Sequence, residues 1–235
     1  MNLLLLEPTD LATDGTARLT GRRLRHALQV LRASEGDVLR VGVLGGLVGT
    51  AEVLRTGEEL VLRPTFEKLP PERPAVDLLL AIPRPKALRK VLPAAASLGV
   101  DRVVLVNAAR VEKSYFDSSV LQPGNLRELL ILGLEQARDT RLPEVLVRER
   151  FRPFVEDELD ALWPATTRLV AHPGGGSTPL RRPQRTVLAI GPEGGWVPFE
   201  VELLRGKDFE PFTLGPRTLR VEVAVPYALG ILTAR

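Results

Sequence analysis

Cysteine is missing from all 235 positions, and its absence excludes disulfides, iron–sulfur clusters and thiolate zinc sites. With only two histidines there are too few imidazoles for a three-histidine site, so no structural or catalytic metal is expected. Long apolar runs are lacking too. No stretch approaches the roughly 18 consecutive residues a membrane span needs, and Met1 to Leu6 is too short, with acidic Glu7 behind it, for a signal peptide. A cytoplasmic protein without a membrane partner is expected. Aromatics are scarce at 5%, yet 44% of residues are hydrophobic, enough for a packed core in one large domain or two modest ones. The net charge of +3 is small, but a pI near 9.6 and a preference for arginine suit a phosphate-rich partner. The same arginine, with 20 prolines and a single methionine, equally fits the salt-bridged surface of a heat-adapted protein.

Short apolar stretches at Val38 to Val43, Leu47 to Leu54 and Leu60 to Leu62, separated by glycine turns, predict a small β-barrel over residues 1–68, with a helix near Leu24 to Leu31. Prolines 70, 71 and 74 mark 69–74 as a stiff linker. Over 75–235 apolar strands alternate with amphipathic segments, an α/β pattern with a mostly parallel sheet. Strands are expected at Val76 to Ile82, Arg102 to Val106, Val145 to Val147, Arg168 to Ala171, Val187 to Ile190 and Phe212 to Leu214. Pro93 is expected to kink or interrupt the helix between Lys86 and Leu98. Asn125 and Glu128 read as the capping box of a helix running to about Arg138. Neither the dinucleotide fingerprint G-x-G-x-x-G nor the P-loop pattern occurs, which disfavours a Rossmann dehydrogenase or P-loop ATPase. Gly174-Gly175-Gly176-Ser177-Thr178 reads as a surface connection more readily than as a phosphate loop.

The most informative residues lie near the carboxyl end. Ile190-Gly191-Pro192-Glu193-Gly194-Gly195-Trp196 follows a buried strand, and Thr213-Leu214-Gly215-Pro216-Arg217-Thr218-Leu219-Arg220 follows a second, before a helix beginning near Thr218 or Leu219. Glycines permit positive φ and bring bare amides against a ligand. Either loop alone is an ordinary strand-to-helix connection, whereas two of them around one helix form a cradle.

The pair resembles the signature motifs of the SPOUT methyltransferases, in particular the 16S ribosomal RNA uracil-N3 methyltransferases, which read GPEGG and LG-x-x-ILR-x-ETA. Gly191 to Gly195 match the first, and Leu214, Gly215, Leu219, Arg220, Glu222 and Ala224 the second, while Thr218, Val221 and Val223 depart from it. Gln136-Ala137-Arg138 with Leu142-Pro143, Leu98-Gly99-Val100, and His26 with Val30-Leu31-Arg32 and Gly36-Asp37 extend the likeness along most of the chain. The family's amino-terminal arginines and aromatics are replaced by Met1-Asn2-Leu3-Leu4.

The resemblance implies a PUA-like barrel followed by a SPOUT sheet with a carboxy-terminal trefoil knot, a homodimer, and S-adenosylmethionine held by Ala171, His172, Gly191, Pro192, Glu193, Gly194, Gly195, Leu214, Gly215 and Leu219. Periodicity alone gives a plain doubly wound fold without a knot. Arg220 and Glu193 are the catalytic candidates, the first holding the base and its developing charge, the second orienting the loop or assisting proton removal. Pairing of Arg220 with Glu222 or Glu193 is the structural alternative. Arg22, Arg23, Arg25 and Arg32 around His26, together with Arg138, are the candidate contacts to 16S ribosomal RNA or the small subunit. Competing functions are another SPOUT activity on a ribose 2′-hydroxyl or a different base, separable by the nucleoside formed, and a non-catalytic RNA-binding or assembly protein.

Overall fold

The computed structural model describes residues 3–176 and 184–233, and the chain divides into two compact units, Met1–Glu72 with Ile131–Leu142, and Arg73–Leu130 with Pro143–Arg235.

The first unit holds a mixed five-stranded sheet, ordered β1-β3-β4-β5-β2, from β1 (Leu4–Leu6), β2 (Ala17–Leu19), β3 (Val38–Val43), β4 (Val48–Arg55) and β5 (Leu60–Lys68). Strand β1 runs parallel to β3 with Leu4 opposite Val41, and the remaining pairs are antiparallel. Alternation puts Leu4, Leu6, Leu19, Val41, Val53, Leu60 and Leu62 in one core, which Ala27 of helix α1 (Gly21–Gln29) joins. Strand β5 continues past Leu62 through Pro64. Because β2 pairs only with Leu60 to Leu62, the missing amide of Pro64 falls where no strand lies on that side. At the β4–β5 bulge a Cβ on residue 49 would lie 1.9 Å from the Thr65 carbonyl oxygen, so only glycine allows the approach. Segment 131–142 is fastened to this unit by its own hydrogen bonds: Leu3 N–H donates to Glu135 O (2.9 Å), Gly45 N–H to Thr140 O (2.7 Å) and Thr140 Oγ1 to Gly46 O (2.6 Å).

The second unit is built on a six-stranded, all-parallel sheet ordered β11-β9-β10-β6-β7-β8. Its strands are β6 (Val76–Ala81), β7 (Arg102–Val106), β8 (Glu144–Arg148), β9 (Thr167–Gly176), β10 (Thr186–Ile190) and β11 (Phe209–Phe212). The central β6 and β10 are buried along their whole length, which is why they read as unbroken apolar runs rather than alternating ones. Helices α2 (Pro85–Ser97), α3 (Pro123–Ala137), α4 (Phe151–Pro153) and α5 (Leu159–Leu162) with a π turn Phe154–Glu158 between them, α6 (Pro198–Arg205) and α7 (Val221–Thr233) complete the chain.

Four expectations change. Helix α2 runs through Pro93 unbroken, its buried face fixed by Ala87, Leu88, Val91, Leu92, Ala95 and Ala96 while Pro93 forfeits one bond to the carbonyl of exposed Arg89. Helix α3 starts at Pro123, whose fixed φ suits a first turn, so Asn125 is inside the helix and its Nδ2 donates to Ser119 O (2.6 Å) instead of capping. Gly174 to Gly176 belong to β9: a Cβ on residue 175 would meet the Phe212 backbone nitrogen at 2.4 Å. Ser177 and Thr178 lie outside the described residues. Strand β11 ends at Phe212 and α7 begins at Val221, later than the pattern predicted, because Thr213 Oγ1 and Gly215 exchange hydrogen bonds across a tight turn and Gly215 adopts φ +107°.

Candidate active site

The carboxyl ends of β9, β10 and β11 lie side by side, the place where open parallel sheets receive ligands. Their loops enclose a cavity of about 430 Å³. Strand β9 contributes Ala171, His172 and Pro173, the loop after β10 contributes Gly191 to Trp196, and the loop after β11 contributes Thr213 to Leu219. Ile190, Val221 and Ala224 add apolar surface and Arg110 reaches in from the loop after β7. All ten residues named as cofactor contacts line this one cavity. Arg220 lies between two lining residues without being one.

The glycine loop is a turn closed by Gly195 N–H donating to Pro192 O (2.8 Å), with Gly195 at φ +72°. A Cβ on residue 191 would stand 3.1 Å from the Trp196 amide nitrogen. Side chains are thus excluded where the backbone faces the cavity. Trp196 is buried against Phe151, ring centroids 5.5 Å apart, and its indole N–H has no partner. His172 Nδ1 accepts from Gly174 N–H (3.1 Å), leaving Nε2 as the other polar point of that ring.

Glu193, which lines the cavity, is also tied to the start of a neighbouring helix. Its Oε1 accepts the backbone N–H of Arg84 at 3.0 Å, and the Arg84 guanidinium stands 3.7 Å away. Arg84 also pairs with Glu222 (3.6 Å), which Lys90 approaches at 3.8 Å. Lys90, Glu222, Arg84 and Glu193 thereby join α2, α7 and the glycine loop in one alternating row of charge. The Glu222 carboxyl is held below its usual range, first by a hydrogen bond to its own backbone amide and then, against desolvation, by Arg84, Lys90 and Arg220. Arg220 itself forms no ion pair among the described residues: the acids expected to engage it are engaged by Arg84 and Lys90. Replacing Glu193 by glutamine should keep the loop anchored through its carbonyl oxygen and leave turnover within about threefold, while alanine should weaken cofactor binding about tenfold. Calorimetry alongside initial rates checks this, and a large rate loss in the glutamine variant would restore Glu193 as a proton acceptor.

Of the three departures from the family motif, Thr218 and Val221 line the cavity, whereas Val223 is exposed and does not. Reasoning from sequence missed Arg84, Arg110, Trp196 and Arg217. The first two follow the carboxyl ends of β6 and β7, a signal that placing those strands at the ligand edge supplies. In the first unit Arg22 pairs with Glu135 (3.3 Å) and Arg23 forms a two-pronged pair with Asp10. Arg25, Arg32 and Arg138 are exposed without an ion pair among the described residues, the last two at φ +54° and +59°. No helix among the described residues is long and apolar enough to cross a membrane, and none of their acidic or histidine side chains cluster as a metal site.

Residues 71–233 match a family model described as RNA methyltransferase domain. Over its full length the chain is 33% identical to the ribosomal RNA small subunit methyltransferase E of Treponema pallidum, covering 91% of that protein. It is 29% identical to the Synechocystis protein of the same name, over 94% of this chain and 74% of the relative. The fold is shared with the Neisseria gonorrhoeae ribosomal RNA small subunit methyltransferase E solved with S-adenosyl methionine (TM-score 0.79, 23% identity, 98% and 95% of the two chains). It is shared equally with a putative methyltransferase from Legionella pneumophila in complex with the same cofactor (TM-score 0.79, 24% identity, 100% and 98%). The chain belongs to the ribosomal RNA small subunit methyltransferase E family.

Proposed function

We propose that the protein transfers the methyl group of S-adenosylmethionine to N3 of a uracil in small-subunit ribosomal RNA. The observation that carries this reading is the single cavity at the sheet's carboxyl edge, which gathers every residue named as a cofactor contact. Its size lies in the range of small-molecule sites. Bare backbone at Gly191 and Gly194 supplies amides for polar ligand edges, while Leu214, Leu219, Ile190 and Ala224 offer an apolar slot of the kind an adenine fills. The cofactor supplies an electrophilic sulfonium methyl. The cavity residues would hold that methyl for attack by N3 once its proton has passed to solvent water, and the negative charge then gathered on the uracil carbonyls is what the protein must stabilise. Arg220, which forms no ion pair among the described residues and follows directly on the second loop, is the cation assigned that task, and Glu193 acts by holding the loop.

The knot belongs to the same reading and rests on the family likeness, with α7, which begins after the second loop, packed against β10, β6 and α2 of its own unit. The five-stranded sheet of the first unit corresponds to the PUA-like barrel, with Arg25, Arg32 and Arg138 as its uncommitted cations for RNA. Exposed Val223 and Tyr227, one turn apart on α7, and Phe199 on α6 supply apolar surface for a homodimer in the cytoplasm.

Titrating the purified protein with S-adenosylmethionine by calorimetry should give saturable binding of one cofactor per chain, and digestion of treated ribosomal RNA should release N3-methyluridine. Absence of binding at millimolar cofactor overturns the enzyme, and a 2′-O-methylated nucleoside overturns the position.

A further inference from the structure

Paired charge runs along both edges of the parallel sheet in the second unit, and the exception lies at the cavity. At the amino edge, among the described residues, Arg73 meets Asp101, Arg185 meets Asp77 and Asp101, Arg102 meets Glu144 and Arg168 meets Asp160. At the carboxyl edge Arg110 and Arg217 line the cavity from different loops, both exposed, and neither has a carboxylate within ion-pair distance among the described residues.

The Arg110 guanidinium donates to the Gly194 carbonyl, which fixes its place over the glycine loop but leaves its charge uncompensated. Its backbone is held as well: Glu200, buried on α6, accepts the Ala109 N–H at 2.6 Å. A cation so firmly placed shares one cavity with a second guanidinium that no carboxylate among the described residues balances, and an anion entering that cavity is attracted by both. Guanidinium forks match phosphate oxygens two to two.

We propose that Arg110 and Arg217 seat a backbone phosphate of the RNA substrate at the mouth of the cavity. This rests on the reading of the cavity as a site of methyl transfer to RNA. Anionic oxygens could also come from the cofactor's carboxylate. That carboxylate, however, travels with an ammonium group and leaves two cations unbalanced, whereas a phosphodiester brings net negative charge and arrives from solvent, where both side chains lie.

The test uses the full-length protein and the variants Arg110→Gln, Arg217→Gln and Arg110→Lys. RNA affinity is measured from about 50 to 200 mM salt and S-adenosylmethionine affinity by calorimetry. Each glutamine variant should bind RNA about tenfold more weakly at the lowest salt, with a log–log salt slope shallower by about 0.7–0.9, while cofactor affinity changes less than twofold. Arg110→Lys should keep the slope, because it keeps the charge. Unchanged slopes in both glutamine variants overturn the seat, as does a loss of cofactor affinity with the slope intact, which would assign the pair to the carboxylate. Failure of the underlying reading shows separately, as wild-type protein that binds RNA with the wild-type slope yet transfers no methyl group.

Discussion

Arg220→Ala is expected to lower turnover by about 10²–10³ while S-adenosylmethionine affinity stays within about twofold. The side chain can be removed without disturbing the loop, because the backbone role of this residue is independent of it: the Arg220 carbonyl accepts the N–H groups of Val223 (2.9 Å) and Ala224 (2.8 Å) and so starts α7. What is lost is an exposed guanidinium next to the cavity lining that forms no ion pair among the described residues. Charge that develops only as the uracil proton leaves is stabilised only in the transition state, so its removal lowers kcat and kcat/KM together and spares the ground-state affinity of the cofactor. Single-turnover rates at saturating cofactor and RNA, set beside calorimetric affinity, decide the matter. Weakened cofactor binding with normal chemistry would make Arg220 a binding residue and leave the charge on the base without a protein partner.

The second large effect concerns stability. Asp77 is fully buried at the start of β6, where Arg185 grips both of its oxygens at 2.9 Å and the Arg102 amide donates to one of them at 3.1 Å. Arg185→Ala strands that carboxylate, and a loss of about 2–4 kcal/mol is expected at pH 7, set somewhat below the cost for a wholly buried pair because Arg185 is 41% exposed. Burial raises the Asp77 carboxyl above its ordinary value, with Arg185 opposing the rise. A carboxyl raised on folding contributes fully below its unfolded pKa of 3.8, and that contribution is lost as pH climbs through the folded value. Asp101 runs the other way: Arg73 and Arg185 outweigh desolvation and hold it low, so its contribution is present above 3.8 and lost in acid. Taking away Arg185 raises both folded values, and the gap between variant and wild type should therefore be widest at neutral pH and shrink toward pH 4. Denaturant melts at the two pH values measure it. Asp77→Asn added to Arg185→Ala should recover part of the loss, since no buried charge is then left alone; a double variant as unstable as the sum of the singles would show that packing, not charge, holds this corner.

The parallel sheet was legible because its central strands are buried on both faces: Val76 to Ile82 and Val187 to Ile190 could be read to within a residue or two. The two ligand loops were legible because glycine at 191, 195 and 215 serves backbone geometry that other residues resist. Where reading failed, a local preference gave way to a longer-range partner. Asn125 looks like a cap until Ser119 takes its side chain, and Phe212 to Leu214 looks like one strand until Thr213 folds the chain back on Gly215. Arg22 and Arg23 looked free for RNA because Glu135 lies 113 positions away and Asp10 13 positions away, and no local pattern announces such partners. The same blindness hid Arg84, which meets Glu193 across 109 positions.

Gly175 is not among the residues lining the candidate site, yet a single methyl group there would press on the backbone of Phe212, with contacts at 2.4 and 2.5 Å. Strand β11 lies at the edge of the sheet and could yield by moving outward, and the second cavity loop follows its last residue. The shape of the cavity is thus specified partly from behind, by a position whose contribution is the absence of atoms. Random mutagenesis scored on activity should therefore return an intolerant site at 175 that a survey of ligand contacts would pass over. Engineers who wish to reshape the cavity have there a lever outside it.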